Sequence, residues 1–423
     1  MQAALSPTVE QAVDGLARDA REAARVLAGS SSAVRDRALR DAAARVRSAE
    51  PELLAANAGD VARARTSGDT PAFIDRLTLT PARIEAMARG IEEIAALPDP
   101  VGETIAAWRR PNGLEIAQVR VPIGVVFTIY ESRPNVTADS AALCLKTANA
   151  VLLKGGSESQ ETSAAIADAI RAAVEAAGLP PAAVQLVSGG REVVRGLLRR
   201  DDRIDVVIAR GGETLKRTIM EESRIPVVKH FEGICHLYVD AAADLEMAER
   251  LCLNAKVQRP SVCNAIENLV VHAAVAARFL PRVVGALRAQ GCEVRGDEAV
   301  RRIVPEARPA TEADWDTEYL DLILSVRVVP SLDDALAFIA AHGTQLAEAI
   351  VTEDYRTAER FLHEVDAAAV FVNASTRFTD GYEFGFGAEV GISTNRLHAR
   401  GPMGLRELTT YKYLVRGTGQ IRV

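Results

Sequence analysis

The chain has 423 residues, of which 48% are hydrophobic and 25% are charged, and its formal net charge is −7. This composition is typical of a globular protein with two or three domains, and the acidic balance argues against a general nucleic-acid-binding protein. The N-terminal residues lack a basic segment followed by an apolar one, and no apolar run reaches membrane length. We therefore expect a cytoplasmic protein that does not bind membranes. The five cysteines have no metal-ligand spacing, which indicates thiols in a reducing compartment and no metal site.

The first half of the chain begins with helical patterns, from residue 1 to about 105. Strands are predicted at 114–121, where apolar and polar residues alternate, and at 123–130, which is almost wholly apolar. Short apolar strands and helices then alternate, which predicts a parallel sheet with helices on both faces. These further strands are predicted near 150–153, 184–187, 204–208 and 226–229.

A second alternating region begins near residue 240 and predicts a second α/β domain. Its strands are predicted at Ile266–Val271, Leu322–Val329, Ala347–Val351 and Ala368–Val372. The tail from about 374 to 405 is rich in Gly, Phe and Arg and is predicted to be ordered loop. A terminal strand from Thr409 to Val415 needs a partner, which is either the strand at 114–121 or a second subunit.

The stretch QRPSVCNA contains the most reactive candidate, Cys263. A helical pattern stops at Pro260 and a strand begins at Ile266, so Cys263 is expected in a turn where its side chain can face a cleft. Lys256 and Arg259 precede it, and nearby positive charge lowers the pKa of a thiol. Two interpretations stay open from the pattern alone, a nucleophile and a packed turn cysteine.

Glycine pairs follow three of the predicted strands, in the stretches Lys154-Gly155-Gly156, Ser188-Gly189-Gly190 and Arg210-Gly211-Gly212. Ligands of parallel sheets bind at the carboxyl ends of the strands, where glycine lets the backbone approach a phosphate. None of the three is the G-x-G-x-x-G fingerprint, and ordinary strand-to-helix turns also use glycine. Three pairs at successive strand ends favour a ligand-binding edge.

With these residues in view, the chain resembles the aldehyde dehydrogenase superfamily, and within it is similar to the γ-glutamyl phosphate reductase (glutamate-5-semialdehyde dehydrogenase) family of proline biosynthesis. The resemblance covers nearly the whole chain. It is most specific in VPIGVVFTIYESRPNVTADSAALCLKTANAVLLKGG, QRPSVCNA and FGFGAEVGISTNRLHARGPMGLRELTTYKY. It implies an aldehyde-dehydrogenase-like α/β fold with a Rossmann-like cofactor domain, a catalytic domain and a small β oligomerisation arm.

The expected boundaries follow from this resemblance together with the predicted elements. Residues 1–113 and 122–239 are expected to form the N-terminal helices and the NADP-binding domain. Residues 240–373 are expected to form the catalytic domain, which contributes Cys263 to a cleft between domains. Residues 114–121 and 374–423 are expected to form the oligomerisation arm and the tail.

The resemblance also implies roles for individual residues. Cys263 matches the nucleophile, and Asn135 matches an asparagine whose amide forms the oxyanion hole with the backbone N–H of the nucleophile. Asn135 could equally cap the following helix, and the two roles are compatible. Four further residues match positions that contact the cofactor: Lys154 at the adenosine ribose, Gly211 and Gly212 beside the pyrophosphate, and Glu318 at the nicotinamide ribose. Gly155, Ser157 and Gly189 are further candidates for cofactor binding because they lie at the same predicted edge.

The implied reaction is the NADPH-dependent reduction of L-glutamyl 5-phosphate through a thioester on Cys263. NADP(H) is favoured because Ser157 stands where many NAD-specific members carry an acidic residue, although Glu158 is adjacent. The alternative is a hydrolytic aldehyde dehydrogenase, which needs a base to activate water, and Glu232 in FEGIC is the nearest counterpart. A third hypothesis, an inactive cofactor-binding scaffold, would not need both Cys263 and Asn135.

A substrate with a phosphate and a carboxylate requires cations in the site. Loop residues supply the candidates, although a structural ion pair is an alternative role for each. The candidates are Arg133, Arg259, Arg377, His398 and Arg400. We also expect a homodimer or higher homo-oligomer and functional coupling to a glutamate 5-kinase.

Overall fold

The computed structural model describes residues 6–131, 133–229 and 232–422, so Ser132 and Phe231, which fall within the motifs above, lie outside the described residues. Contacts between residues divide the chain into two compact units. The first contains Met1–Lys229, Gly385–Gly391 and Met403–Val423, and the second contains His230–Phe384 and Ile392–Pro402. The sequence placed the corresponding boundary at 239–240.

The first unit is rich in helices. They are α1 (Pro7–Ala28), α2 (Ser32–Ser48), α3 (Glu50–Ser67), α4 (Pro71–Leu77), α5 (Pro81–Ala96), α6 (Asn135–Lys146), α7 (Gln160–Ala176), α8 (Arg191–Leu197) and α9 (Glu213–Glu222). Local chemistry explains where they begin: Ser6 accepts a hydrogen bond from the backbone N–H of Val9, and Pro7 opens the first turn of α1. Residues at helical spacing, such as Val13 and Ala17, are then buried.

A parallel sheet forms the centre of the first unit. Its strands are β3 (Val125–Tyr130), β4 (Ala150–Lys154), β5 (Val184–Leu186), β6 (Val206–Arg210) and β7 (Val227–Val228). Within the described residues the strand order is β5-β4-β3-β6-β7, with every pair parallel. All six residues of β3 are buried, because it is the central strand and helices cover both of its faces.

Three antiparallel strands form a separate sheet in the first unit. They are β1 (Thr104–Arg109), β2 (Glu115–Pro122) and the C-terminal β17 (Thr409–Arg416). The described residues place β2 in the middle of this sheet, so the terminal strand finds its partner within the same chain. The sequence analysis did not predict β1, whose residues are all exposed and therefore lack a core-facing pattern.

The second unit is also an α/β structure. Its strands are β8 (Cys235–Val239), β9 (Ile266–His272), β10 (Glu293–Gly296), β11 (Arg308–Pro309), β12 (Ile323–Val329), β13 (Ala347–Val351) and β14 (Ala369–Val372). Its helices are α10 (Leu245–Val257), α11 (Ala273–Ala289), α12 (Glu298–Ile303), α13 (Glu312–Trp315), α14 (Leu332–His342) and α15 (Tyr355–Glu364). In the part of the chain that the structure describes, the strand order is β11-β10-β12-β9-β8-β13-β14, and all pairs are parallel.

The predicted α/β fold with two parallel sheets is confirmed. The tail from about 374 to 405, predicted as ordered loop, also contains the short paired strands β15 (Gly391–Ser393) and β16 (Gly401–Met403). Three-residue strands leave too little alternation to be recognised in a sequence. Among the described residues, none of the helices is long and apolar enough to cross a membrane.

Candidate active site

Cys263 lies in the turn between α10 and β9, at the edge of the sheet where β8 and β9 begin. Its side chain is partly exposed and also packs against the apolar core of the second unit. The other four cysteines are buried. Burial raises the pKa of each of these four thiols, to about 11 for Cys292. Cys263 is therefore the thiol best placed to react with a ligand.

Two residues hold the backbone of Cys263: Gly233, which precedes β8, and Cys235, the first residue of β8. The thiol of Cys235 donates a hydrogen bond to the carbonyl oxygen of Cys263 at 3.3 Å. Gly233 packs so closely that a Cβ atom on it would overlap the same carbonyl group. Only glycine fits this close approach, so Gly233 is a site residue that the sequence analysis did not identify.

The loop is also fixed from the C-terminal part of the second unit. Asn264 donates to the carbonyl oxygen of Thr379 at 2.9 Å, and Thr376 donates to the carbonyl oxygen of Asn264 at 2.7 Å. Arg377 donates to the side chains of both Asn264 and Gln258, the latter at 2.9 Å. These contacts bring the predicted substrate-binding residue Arg377 to the Cys263 loop.

Arg377 lies in a cationic environment. Burial lowers the pKa of the Arg377 guanidinium, the positive charge of Arg259 lowers it further, and Asp380 and Cys263 oppose this effect. Arg377 contacts Asn264, the residue after Cys263, and Arg259 precedes Cys263 in the same loop. Two of the five predicted cations thus accompany the thiol, as a phosphate-bearing ligand would require.

The remaining candidate cations are placed differently. Arg400 forms an ion pair with Asp366 at 2.8 Å. His398 is exposed and has a left-handed backbone conformation with φ of 69°. Arg133 precedes α6 in the first unit and is partly buried. Roles for these three residues in substrate binding stay predictions.

The positive charge of Lys256, which the sequence places near the thiol, has a buried partner. Lys256 is fully buried and donates to Glu267 at 2.6 Å, so a carboxylate compensates its charge. The sequence could not show this pairing, because the Cys263 loop separates the two residues along the chain.

Glu318 is partly buried in the turn before β12 and accepts a hydrogen bond from the backbone N–H of Gly233 at 2.9 Å. Without the resemblance it would have been interpreted as a solvated loop residue. The structure instead connects it to the backbone that holds Cys263.

In the first unit, the predicted ligand residues follow the carboxyl ends of neighbouring parallel strands. Lys154 ends β4, Asn135 follows β3 and Gly211 follows β6, and these three strands are adjacent. Gly189 follows β5 and has φ of +102°, a conformation that glycine adopts without strain. The edge is therefore the one at which such sheets bind ligands.

The glycine turn after β6 has a close polar neighbour. The backbone N–H of Gly212 donates to Glu131 Oε2 at 2.8 Å, and a Cβ on Gly211 would lie 2.5 Å from the same oxygen. The carboxylate of Glu131 thus binds the backbone amide at the start of α9, a position suited to an anion. The sequence analysis did not identify Glu131.

Lys154 is partly buried, and this burial lowers the pKa of its ammonium group while the charge of Glu158 opposes the shift. The carboxylate of Glu158 lies over Gly156, where it would overlap a Cβ atom, and Ser157 is exposed beside it. A cation at a strand end, with glycines that leave room for phosphate groups, suits the adenosine half of a dinucleotide.

Asn135 is the first residue of α6, and Pro134 occupies the N-cap position. The alternative role of Asn135 as helix cap was therefore wrong. Its amide nitrogen donates to Asp139 Oδ2 at 2.9 Å, one turn further along the helix. Burial raises the pKa of Asp139 to about 6, although the hydrogen bond from Asn135 opposes this shift. The spacing of four residues could have indicated this pair in the sequence.

The fold and the site define a class of protein, the aldehyde dehydrogenases: residues 3–301 match the sequence model of the aldehyde dehydrogenase family. The chain is 56% identical over 404 residues to γ-glutamyl phosphate reductase of Moorella thermoacetica, covering 95% of this chain and 97% of that protein. The crystal structure of γ-glutamyl phosphate reductase from Thermotoga maritima superposes with a TM-score of 0.96 at 46% identity, covering 97% of this chain and 100% of that one.

A more distant structure shares the fold alone. It is glyceraldehyde-3-phosphate dehydrogenase of Methanocaldococcus jannaschii in complex with NADP, at a TM-score of 0.66 and 15% identity, covering 99% of this chain and 96% of that one. The chain thus belongs to the γ-glutamyl phosphate reductase family of aldehyde dehydrogenases. This family membership implies a nicotinamide cofactor.

Proposed function

We propose that this protein reduces L-glutamyl 5-phosphate to L-glutamate 5-semialdehyde and phosphate, with NADPH and through a thioester on Cys263. The observation that carries this proposal is the placement of Cys263 in a fixed, partly exposed turn beside Arg259 and Arg377. The high identity to γ-glutamyl phosphate reductases supports the same substrate.

The first step forms the thioester. The thiolate of Cys263 attacks the acyl carbon of the acyl phosphate, and the bond from that carbon to the phosphate oxygen breaks as phosphate leaves with the electron pair. Asn135 and the backbone N–H of Cys263 are the proposed donors to the oxyanion, and one such donor contributes about 3–4 kcal/mol. Asp139 orients the Asn135 amide from within α6.

The second step reduces the thioester. Cys263 would hold the thioester while a nicotinamide, when bound, would supply the hydride, and Cys263 would recover its thiolate as the tetrahedral thiohemiacetal oxyanion expels sulfur and releases the aldehyde. Lys154, Gly211 and Gly212 are the proposed contacts for the adenosine and pyrophosphate groups. Glu318 is the proposed contact for the nicotinamide ribose.

Two features support NADP(H) over NAD(H), and one opposes it. Ser157 supplies no negative charge where an acidic residue would repel a 2′-phosphate, and Lys154 supplies a positive one nearby. Glu158 weakens this preference because its carboxylate lies at the same turn.

Phosphate release makes a water-activating base unnecessary. An enzyme that passes its acyl group between sulfur and phosphate has no hydrolytic step, so we assign no base role to Glu232. Arg259 and Arg377 are the proposed contacts for the substrate phosphate or carboxylate. Arg133, His398 and Arg400 remain further candidates.

The surroundings of the enzyme are also proposals. The exposed strands β1 and β17 are edges that a second copy could cover, which supports a homodimer or higher homo-oligomer. Five thiols suit the reducing cytoplasm. Because an acyl phosphate hydrolyses readily, coupling to the glutamate 5-kinase that makes it would be advantageous.

The experiment measures NADP⁺ reduction by glutamate 5-semialdehyde with and without phosphate, in wild type and in Cys263→Ala. We expect turnover that requires phosphate and is lost in the variant. Turnover without phosphate would instead indicate the hydrolytic reaction. Full activity of Cys263→Ala would overturn the covalent mechanism.

A further inference from the structure

An ion pair lies fully buried beneath the Cys263 loop. Lys256 is in the last turn of α10 and Glu267 is the second residue of β9, and both side chains have 0% of their surface exposed. The Lys256 Nζ atom lies 2.6 Å from Glu267 Oε2. Since α10 leads into the loop and β9 leaves it, this bond joins the two ends of the segment that carries Cys263.

The second oxygen of Glu267 faces a different segment. The backbone N–H of Leu320 donates to Glu267 Oε1 at 3.4 Å. The charge of Glu318 also contributes to raising the pKa of Glu267, after burial, whereas Lys256 lowers it. One carboxylate therefore contacts both the helix before the Cys263 loop and the turn that carries Glu318.

The neighbouring Tyr319 strengthens this connection. Two cations lie near its ring centroid, Lys256 Nζ at 5.8 Å and Arg295 Cζ at 5.1 Å. Its hydroxyl group donates to Asp314 at 2.7 Å. Leu320 has φ of 53°, a backbone conformation that is strained for leucine and needs such surrounding contacts.

Gly233 completes a closed set of contacts. Its N–H donates to Glu318 at 2.9 Å, and its Cα packs against the carbonyl group of Cys263. Contacts thus connect Lys256 to Glu267, Glu267 to the 318–320 turn, and this turn to Gly233, which packs against the Cys263 loop. Every residue in this set belongs to the second unit.

Stability alone is a weak reason for such a pair. Burying two charges costs solvation, and replacing a buried ion pair by neutral side chains of similar size is often neutral or stabilising. A neutral pair would, however, lose the directed contacts with Leu320 and Tyr319. The geometry that the pair imposes is a better reason than stability for burying two charges at this position.

We propose that Lys256 and Glu267 are a positioning pair, which fixes the Cys263 loop and the Glu318 turn to each other. The pair thereby sets the position of the Cys263 thiol relative to the Glu318 carboxylate, the proposed cofactor contact. The inference depends on the proposed function for the roles of Cys263 and Glu318. Neither Lys256 nor Glu267 is assigned contact with substrate.

The test uses the full-length double variant Lys256→Met/Glu267→Gln. Its control is Lys146→Met/Asp36→Asn, which removes from the first unit an ion pair with the same 2.6 Å separation between a buried lysine and a partly buried aspartate. Two measurements are made on each protein, the pH–rate profile of Cys263 alkylation by iodoacetamide and the dissociation constant of NADPH. Thermal unfolding confirms that both variants fold.

In the Lys256/Glu267 variant we expect the alkylation profile to change and the dissociation constant of NADPH to rise about tenfold, as for a misplaced charge-assisted hydrogen bond. We expect the control to stay within about twofold of wild type. Wild-type values for both measurements in the Lys256/Glu267 variant would overturn the proposal. A change in alkylation alone would overturn the connection to Glu318.

A second variant keeps the proposal testable if the double variant does not fold. This is Lys256→Gln/Glu267→Gln, which removes both charges together so that no unpaired charge stays buried, and the same two changes are expected. Neither measurement uses an acyl phosphate. A wild-type protein that binds NADPH but fails to reduce glutamyl phosphate would therefore overturn the proposed substrate and leave this test intact.

Discussion

Gly233 and Cys263 pack backbone against backbone, and a methyl group on Gly233 would overlap the carbonyl group of Cys263. The thiol of Cys235 bonds the same carbonyl oxygen, so two neighbours fix the peptide unit that follows the nucleophile. A carbonyl group in the main chain cannot rotate away as a side chain can. The position of the reactive sulfur therefore depends on Gly233 having no side chain.

Gly233→Ala should inactivate the enzyme without touching a reacting group. The added methyl group must displace the Cys263 loop, and a displacement of about 1 Å can reduce the rate about 100-fold. The measurement is kcat/KM together with the thermal unfolding midpoint. Gly285→Ala in α11 is the control, because a Cβ there meets no atom within 4 Å. Equal activity of the two variants would contradict the close packing.

Arg377→Gln should weaken substrate binding and slow the reaction of the thiol. The variant removes a positive charge beside Cys263 and a donor to Gln258. We expect KM for the acyl phosphate to rise about tenfold, as for one lost hydrogen bond to a charged group. Alkylation of Cys263 at pH 7 should also slow. Arg396→Gln, which loses only an exposed ion pair with Asp366, is the control and should behave as wild type.

Asp139→Asn should change how stability depends on pH. Burial raises the pKa of Asp139 from its ordinary value of 3.8 to about 6, so between these values the folded protein binds more protons than the unfolded chain. Stability from this group is therefore complete below pH 3.8 and is lost as pH rises through 6. The asparagine variant does not titrate and should be more stable at pH 8 by about 1–2 kcal/mol, since the partial exposure of the carboxyl reduces the full effect.

Urea unfolding of both proteins between pH 4 and 8 measures this difference. The advantage of the variant should disappear near pH 4, where Asp139 is protonated in both states. A stability difference between the two proteins that stays constant from pH 4 to 8 would show that Asp139 does not titrate in this range.

Glu158→Gln should improve the use of NADP⁺ relative to NAD⁺. The carboxylate lies at the turn proposed to meet the 2′-phosphate, and its removal eliminates a repulsion worth about 0.2–1 kcal/mol at a partly exposed position. The ratio of kcat/KM values for the two cofactors should rise about 1.4- to fivefold. Glu175→Gln, near the other end of α7, changes the charge equally and should leave the ratio unchanged. A fall in this ratio would indicate that the 2′-phosphate binds away from the turn that carries Glu158.

The sequence predicted most elements of both sheets, because buried strands such as β3 and β9 appear as continuous apolar runs between helical segments. It also identified Cys263 and the glycine turns as candidates. It did not predict β1, whose residues are all exposed, or the short strands in the tail. Local patterns are weak wherever a segment is exposed or very short.

The sequence by itself determined the α/β class, the turn at Cys263 and the resemblance that assigns a chemistry to it. Only the tertiary structure decided that Lys256 is neutralised by Glu267, that Arg377 reaches the Cys263 loop and that Gly233 leaves no space for a side chain. The physical reason is the range of the interactions. Hydrophobic periodicity is encoded by neighbours along the chain, whereas charge pairing and steric fit depend on residues that only the folded backbone brings together.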